Sequence, residues 1–316
     1  MSDDLVGLAF VTGLLAAAVR MATPVVFAML GEVLAERAGV LNLGIEGTML
    51  MGAMTGFVVA IKTGSLWLGV LAAAAVGMLL GLLMAVLAVH LGLSQHVSGL
   101  GITLLSTGLA MFIYRLCFGS PTVPPTVVPF GQVAIPVLAK IPLVGPALFD
   151  QYALVYLSWA LIPAVSVLLY RTKIGLRLRA VGENPFAADT AGVNVPLVRT
   201  VSLVCGGALM GVGGAFLTLA HQNMFLMDVV GGRGWIAVAM VIFGNWDPVK
   251  GALGAGLFGL LDGLQLRLQA LGLAVPFHVF LIIPYVVTVL AMMSVSRKAM
   301  APAGLLKPYR REDRGG

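Results

Sequence analysis

Charge is the scarcest property of this sequence. Of 316 residues only 10% are charged, against 59% hydrophobic, and the mean hydropathy is +1.02. A soluble domain carries about a quarter charged residues, so a single soluble core is excluded. Cysteine is nearly missing as well. Cys117 and Cys205 are the only two, too few and too apolar in setting for a disulfide-built scaffold. The four histidines are scattered rather than spaced as a ligand set, so no metal site is expected. The chain has no G-x-x-x-x-G-K-[ST] phosphate loop, no G-x-S-x-G elbow and no H-E-x-x-H pair. No catalytic residue, cofactor or ATP site of its own is therefore expected, and the chain is not read as an enzyme. The start, "MSDDLVGL", lacks the basic region of a cleavable signal and reads as the opening of a first span.

What the sequence does have is apolar runs, and crossing a bilayer takes about 20 such residues. Candidate spans cover 5–30, 39–60, 65–90, 97–119, 150–170, 198–220, 233–245, 251–270 and 276–294. The expected fold is an all-α polytopic transmembrane bundle of about nine spans (range eight to ten), one membrane domain over 1–316 with no separate soluble domain. The seventh span is short and fits a broken or tilted helix. The net charge of +6 is concentrated at two places. Arg171, Lys173, Arg177 and Arg179 lie in "RTKIGLRLRA", and six more basic residues lie between Arg297 and Arg314. Under the positive-inside rule this puts the loop 171–197 and the tail 295–316 in the cytoplasm and, counting spans backwards, the N-terminus outside. Arg20 sits awkwardly within the first run; it either snorkels from a tilted helix or marks a break. Basic residues at membrane edges do not form a nucleic-acid surface, and no recognition element accompanies them.

Forty glycines are present. Gly52/Gly56, Gly77/Gly81, Gly207/Gly211 and Gly259/Gly263 are small-xxx-small steps that allow helices to approach closely. The longest non-spanning outer segment, 120–149, contains Pro121, Pro124, Pro125, Pro129 and Pro136, which preclude one regular helix. It suits either a surface that receives a partner or a plain outer loop.

Polar groups at membrane depth are the candidate functional residues: Asn42, Glu46, Asp228, Asp262, Arg267, His221, Gln222, Asn223 and His278. On a helix, Asn42 and Glu46 would share one face, and Gly44 and Gly47 would let a second backbone come close. Glu46 suits a staple to another helix, a place on a translocation path, or an interfacial span end. Gln222 and Asn223 close one span before the Gly231-Gly232-Arg233-Gly234 turn opens the next. That turn suits an interfacial cap or a substrate path. In the loop 171–197, Asn184 or Glu183 before Pro185 suits a helix start. Phe186, Ala187, Ala188 and Ala191 then give a short helix an apolar face.

Three blocks carry a family resemblance. "AERAGVLNLGIEGTMLMGA" (35–53), "GLRLRAVGENPFAADTAGVNV" (175–195) and "GGRGWIAVAMVIFGNWDPVKGALGAGLFG" (231–259) resemble bacterial ABC transporter permeases of the simple-sugar and nucleoside importer group. That group is related to ribose and branched-chain amino-acid permeases. The resemblance runs over nearly the whole chain. It implies import across the bacterial cytoplasmic membrane by alternating access. Its implied partners are ABC ATPase subunits, an extracytoplasmic substrate-binding lipoprotein and a second, non-identical permease, with this chain like the shorter of the two. It also assigns ATPase coupling to the segment holding Gly175, Arg179, Gly182, Glu183, Asn184, Pro185, Ala187, Ala188 and Gly192. Gly44, Glu46 and Gly47 then lie in a fold-critical polar segment. Nucleosides are the expected substrate, with simple sugars, branched-chain amino acids or an ion-coupled secondary transporter as alternatives.

Overall fold

A computed structural model describes residues 2–136, 138–141, 144–270, 282, 285–286, 288–290, 293 and 300–309. The helices are α1 (Ser2–Arg37), α2 (Ile45–Thr63), α3 (Leu66–Ala85), α4 (Gln95–Phe118), α5 (Val144–Leu148) and α6 (Ala153–Arg171), followed by α7 (Lys173–Glu183), α8 (Pro185–Thr190), α9 (Val195–Phe216), α10 (Arg233–Phe243) and α11 (Pro248–Ala270). Two short antiparallel strands, β1 (Gln132–Ala134) and β2 (Asp150–Tyr152), pair with Gln132 opposite Tyr152. The chain is an all-α membrane bundle with that one hairpin attached.

Among the described residues, six helices are long and apolar enough to cross a membrane: Phe10–Arg37, Ile45–Thr63, Leu66–His90, Gln95–Phe118, Ala153–Arg171 and Val195–His221. The chain is therefore a multi-pass membrane protein, but nine crossings are not reached by this measure. The expected seventh span is α10, only 11 residues long. The eighth is α11, long enough but carrying Asp262, Gln265, Arg267 and Gln269. The ninth, 276–294, lies largely outside the described residues, as does His278.

The first two spans differ from the expected ones. Helix α1 does not stop at residue 30 but runs seven residues further to Arg37, taking in Glu32 and Glu36. Nor does it break at Arg20, whose Nε donates to Gln151 Oε1 (2.9 Å) while its guanidinium lies 5.0 Å from the Tyr152 ring centre. The second helix starts at Ile45 rather than Gly39. Gly39 holds φ +86°, a conformation glycine adopts without a side-chain clash, and the chain stays irregular through Gly44.

Helix α9 is the hub, and its glycines make it one. A Cβ on Gly206 would strike the Gly31 carbonyl of α1, and one on Gly207 the Gly77 carbonyl of α3. On Gly211 it would meet Ala73 of α3, and on Gly214 the Met49 carbonyl of α2. Three helices thus pack on α9 at backbone contact, the close approach that small residues give where lipid removes the hydrophobic incentive to associate. Gly259 plays the same part between α11 and Ala18 and Ala22 of α1. Both α3 and α9 end in a π-helical turn, Val86–His90 and Leu217–His221.

By contrast, α4 leaves one face uncovered. Val97, Leu104 and Leu116 are 70%, 76% and 74% exposed.

Candidate functional site

The site is organised by the irregular stretch 38–44, whose backbone groups would be costly to leave unpaired in a bundle interior. The Leu41 amide donates to Gln95 Oε1 (2.8 Å), the Asn42 amide to Glu32 Oε1 (2.8 Å), and the Gly44 amide to Asn42 Oδ1 (3.0 Å). Thr103 Oγ1 donates to the Leu43 carbonyl at 3.1 Å. Asn42 is buried in this turn, so the expected helical face shared with Glu46 does not exist. Gly44 is the residue that caps α2. At Gly47 a Cβ would lie 2.6 Å from Thr103 Cα, so glycine is what allows α4 to approach.

In the first turn of α2, Glu46 accepts two hydrogen bonds from the start of α10. Oε1 takes the Gly232 amide at 2.8 Å and Oε2 the Gly234 amide at 2.7 Å. A helix N-terminus has unpaired amides and a partial positive charge, and both carboxyl oxygens are used on it. The chain can present these amides because Gly231 and Gly232 hold φ +56° and +80°. At Gly234 a Cβ would lie within 2.7 Å of the Glu46 backbone and carboxyl group.

This junction is deep in the bundle. Met49 faces Gly214, and the adjacent Gly213 faces Pro24, 13 residues along α1 from Arg37, or about 20 Å. Glu46 precedes Met49 by three residues, which places it about 15 Å from the level of Arg37.

The other end of α10 is held as firmly. Asn245 and Trp246 take positive φ, +52° and +57°. Trp246 Nε1 donates to Glu36 Oε2 (2.6 Å), and Arg37 Nε donates to the Trp246 carbonyl (3.0 Å). Helix α10 is thus about 16 Å long, half a hydrocarbon core, and fixed by a carboxyl at each end, the half-buried Glu46 and the buried Glu36. Replacing Trp246 with phenylalanine removes the donor to Glu36. A loss of about 1–3 kcal/mol is expected, read as a lower melting temperature in detergent; an unchanged melting curve would show that the bond contributes nothing.

The remaining polar groups divide. Arg233 Nη2 pairs with Asp262 Oδ2 at 3.2 Å, and Tyr285 donates to the Gly231 carbonyl at 3.0 Å. Arg267 Nη1 donates to the Phe10 carbonyl at 2.9 Å. Asp228 is exposed. Gln222 follows the π-turn, its amide donating to the Leu217 carbonyl (2.8 Å), and Asn223 sits at φ +61°. Gln222 Oε1 and Asn223 Oδ1 are buried with no hydrogen-bond partner among the described residues. The Asn223 carbonyl takes the Val127 amide at 2.9 Å, which ties the proline-rich segment to this point.

The loop 171–197 is a helical hairpin. Thr172 caps α7 and Asn184 caps α8, with Asn184 Oδ1 accepting the Ala187 amide at 3.0 Å and Pro185 in the first turn. Gly175 and Gly182 lie against the carbonyls of Leu168 and Arg37, where a Cβ would not fit. Arg179 Nε donates to the Leu169 carbonyl at 3.1 Å. Pro185 and Ala188 are buried, whereas Phe186 and Ala187 are exposed; Ala188 packs with Val181 and Val195. Gly192 turns the chain at φ +82°.

Sequence reasoning missed the strap that completes this hairpin. The Met300 amide donates to Asn245 Oδ1 (2.8 Å), Ala303 to Glu183 Oε2 (3.2 Å) and Gly304 to the Gly182 carbonyl (2.8 Å). The buried Arg199 donates from Nη1 to the Lys307 carbonyl at 3.1 Å and from Nε to the Ala38 carbonyl at 3.2 Å. Tyr309 rests 5.2 Å from the Phe186 ring.

The site thus combines a half-length helix, α10, held by Glu46 at depth with a structured helical hairpin at one end of a glycine-packed bundle. Residues 14–292 match the branched-chain amino acid transport system / permease component family, and the chain belongs to it. It is 41% identical to a putative glucose ABC transporter permease protein, TsgC13, of Haloferax volcanii, over 84% of this chain and 81% of that one. It is 36% identical to the guanosine ABC transporter permease protein NupQ of Bacillus subtilis over 91% and 93% of the two chains. Identity to the nucleoside ABC transporter permease protein NupC of Lactococcus lactis is 34%, over 89% and 91%. No solved structure matches significantly.

Proposed function

We infer that this chain is the membrane-spanning permease subunit of an ATP-driven importer for nucleosides. Similarity to two permeases named for guanosine and nucleosides, over about nine-tenths of each chain, carries the substrate. TsgC13 keeps glucose as the second reading. ATP is hydrolysed by separate ATPase subunits, and a substrate-binding lipoprotein delivers the ligand at the outer face. A second, non-identical permease completes the pore.

The chain forms one membrane domain of nine segments: the six long helices, α10 as a half-span, α11, and 276–294. It lies in the cytoplasmic membrane with the N-terminus outside and the loop 171–197 and tail 295–316 inside. Asn42, Gly44, Glu46, Gly47, Gln222 and Asn223 stand along the path or staple its walls. Interrupted helices at mid-depth are how many transporters build such a path. In this reading α8 meets the ATPase, and its motion passes through Gly182 to the end of α1. There Glu36 and Arg37 hold the Asn245–Trp246 turn of α10.

Proteoliposomes holding the full complex should accumulate labelled guanosine only with ATP and the lipoprotein. Uptake of glucose instead would select the second reading, and uptake persisting with the ATPase inactivated would remove both. The hairpin gives a sharper test. Ala187→Asp, on the exposed side of α8, should abolish co-purification of the ATPase while leaving the permease folded. Ala188→Asp puts a carboxyl into the small core beside Val181 and should unfold the hairpin itself. Full ATPase recovery with Ala187→Asp would sink the docking role.

A further inference from the structure

Where the far end of α4 meets the turn 119–121 and the segment 225–227, a cavity of about 270 Å³ opens. Its back wall is aromatic. The Tyr114 ring lies 5.2 Å from Phe225 and 5.2 Å from Phe118, and Phe57 stands behind, 5.9 Å from Phe118 and 6.5 Å from Phe225. Phe57 and Phe225 are buried and Tyr114 is half-buried, so the wall is fixed by packing yet open on the cavity side. Met227 adds a polarisable flank, and the exposed Arg115 and Ser120 supply hydrogen-bonding groups at the rim.

We propose that this cavity is where an incoming nucleoside first rests, its base against the Tyr114–Phe225 wall and its edge facing Arg115. The proposal rests on the nucleoside reading above and gives it a location. A nucleobase has an apolar face and a rim of hydrogen-bond acceptors and donors, and its face and acceptors are the complement of an aromatic wall edged by guanidinium donors. The volume is near the lower limit of about 300 Å³ for small-molecule sites, enough for one ring system with its ribose projecting. A simple sugar presents hydroxyls on every side and would leave most of them against carbon. A zwitterionic amino acid needs an anionic partner for its ammonium, and no carboxylate is among the described residues lining the cavity. Phe225 also lies two residues from Asn223, whose buried amide oxygen has no hydrogen-bond partner among the described residues.

Photolabelling of the purified complex with 8-azidoadenosine tests this. Label is expected on permease peptides spanning 111–121 or 224–228, suppressed by excess adenosine and not by glucose. Tyr114→Phe should retain labelling, and Tyr114→Leu should reduce it roughly tenfold, the loss expected for one base-stacking contact. The exposed Arg115→Gln should weaken it without touching the packed wall, so a Tyr114 variant that fails to fold leaves the test intact. Label elsewhere in the chain, label insensitive to Tyr114→Leu and Arg115→Gln, or equal suppression by glucose would overturn the proposal. Uptake measured on the same preparation separates the two levels. Nucleoside import with label elsewhere removes only the cavity, whereas glucose import without nucleoside import removes the substrate reading as well.

Discussion

Glu46→Leu is expected to eliminate transport and to cut the yield of folded permease severely. Leucine fills much of the same space but accepts no hydrogen bond, so the Gly232 and Gly234 amides lose both carboxyl partners. Each orphaned donor costs about 1–3 kcal/mol, and the sum is a large share of the roughly 5–15 kcal/mol that holds a protein folded. Glu46→Gln keeps one acceptor oxygen and should fall between leucine and wild type. Glu46→Asp keeps both oxygens on a side chain one methylene shorter, and should resemble Gln rather than wild type. The series is read as melting temperature and nucleoside uptake in parallel. Wild-type values for Glu46→Leu would mean that α10 is held by something other than this carboxyl.

Gly207→Val carries the second large effect, through packing rather than polarity. Its side chain would land on the Gly77 carbonyl, and backbone on both sides leaves no flexible atom to move aside. Overpacking costs typically 1–3 kcal/mol, occasionally more, and here α3 and α9 would have to separate along their whole contact. Aggregated protein on extraction from the membrane is expected, with little monodisperse material by size exclusion. The control is Gly108→Ala on α4. No described residue lies within 4 Å of the added Cβ there, and alanine favours helix over glycine by about 1 kcal/mol, so full recovery is expected. Normal recovery of Gly207→Val would show that the bundle tolerates wider α3–α9 spacing.

Much of the scaffold was legible because its causes are local. Apolar runs and small-xxx-small steps are properties of single segments, and Gly77, Gly207 and Gly211 meet as their spacing suggests. The half-length of α10 was visible as a shortened run between Gly234 and Asn245. What escaped depends on partners distant in the chain. Glu32 and Glu36 looked like the end of a span, because acids ordinarily stop an apolar run. They continue the helix because the Asn42 amide and the Trp246 indole satisfy one oxygen of each. Asn42 was assigned to a helix since its neighbours are apolar, yet its backbone is claimed by Glu32 from the preceding helix. Ala187 and Ala188 are indistinguishable by composition, and only the packing against Val195 tells which of them faces inward.

The strap 300–309 also bears on when the protein becomes competent. It is synthesised after every element it touches: the α7–α8 hairpin, Arg199, and the Asn245 turn. While the ribosome is still translating residues 271–299, Glu183 and the Gly182 carbonyl lack their strap partners, and α8 has no Tyr309 against Phe186. Order of synthesis thus acts as a timer: the hairpin reaches its final form only once the rest of the chain has been made, and a half-built permease carries an unfinished hairpin.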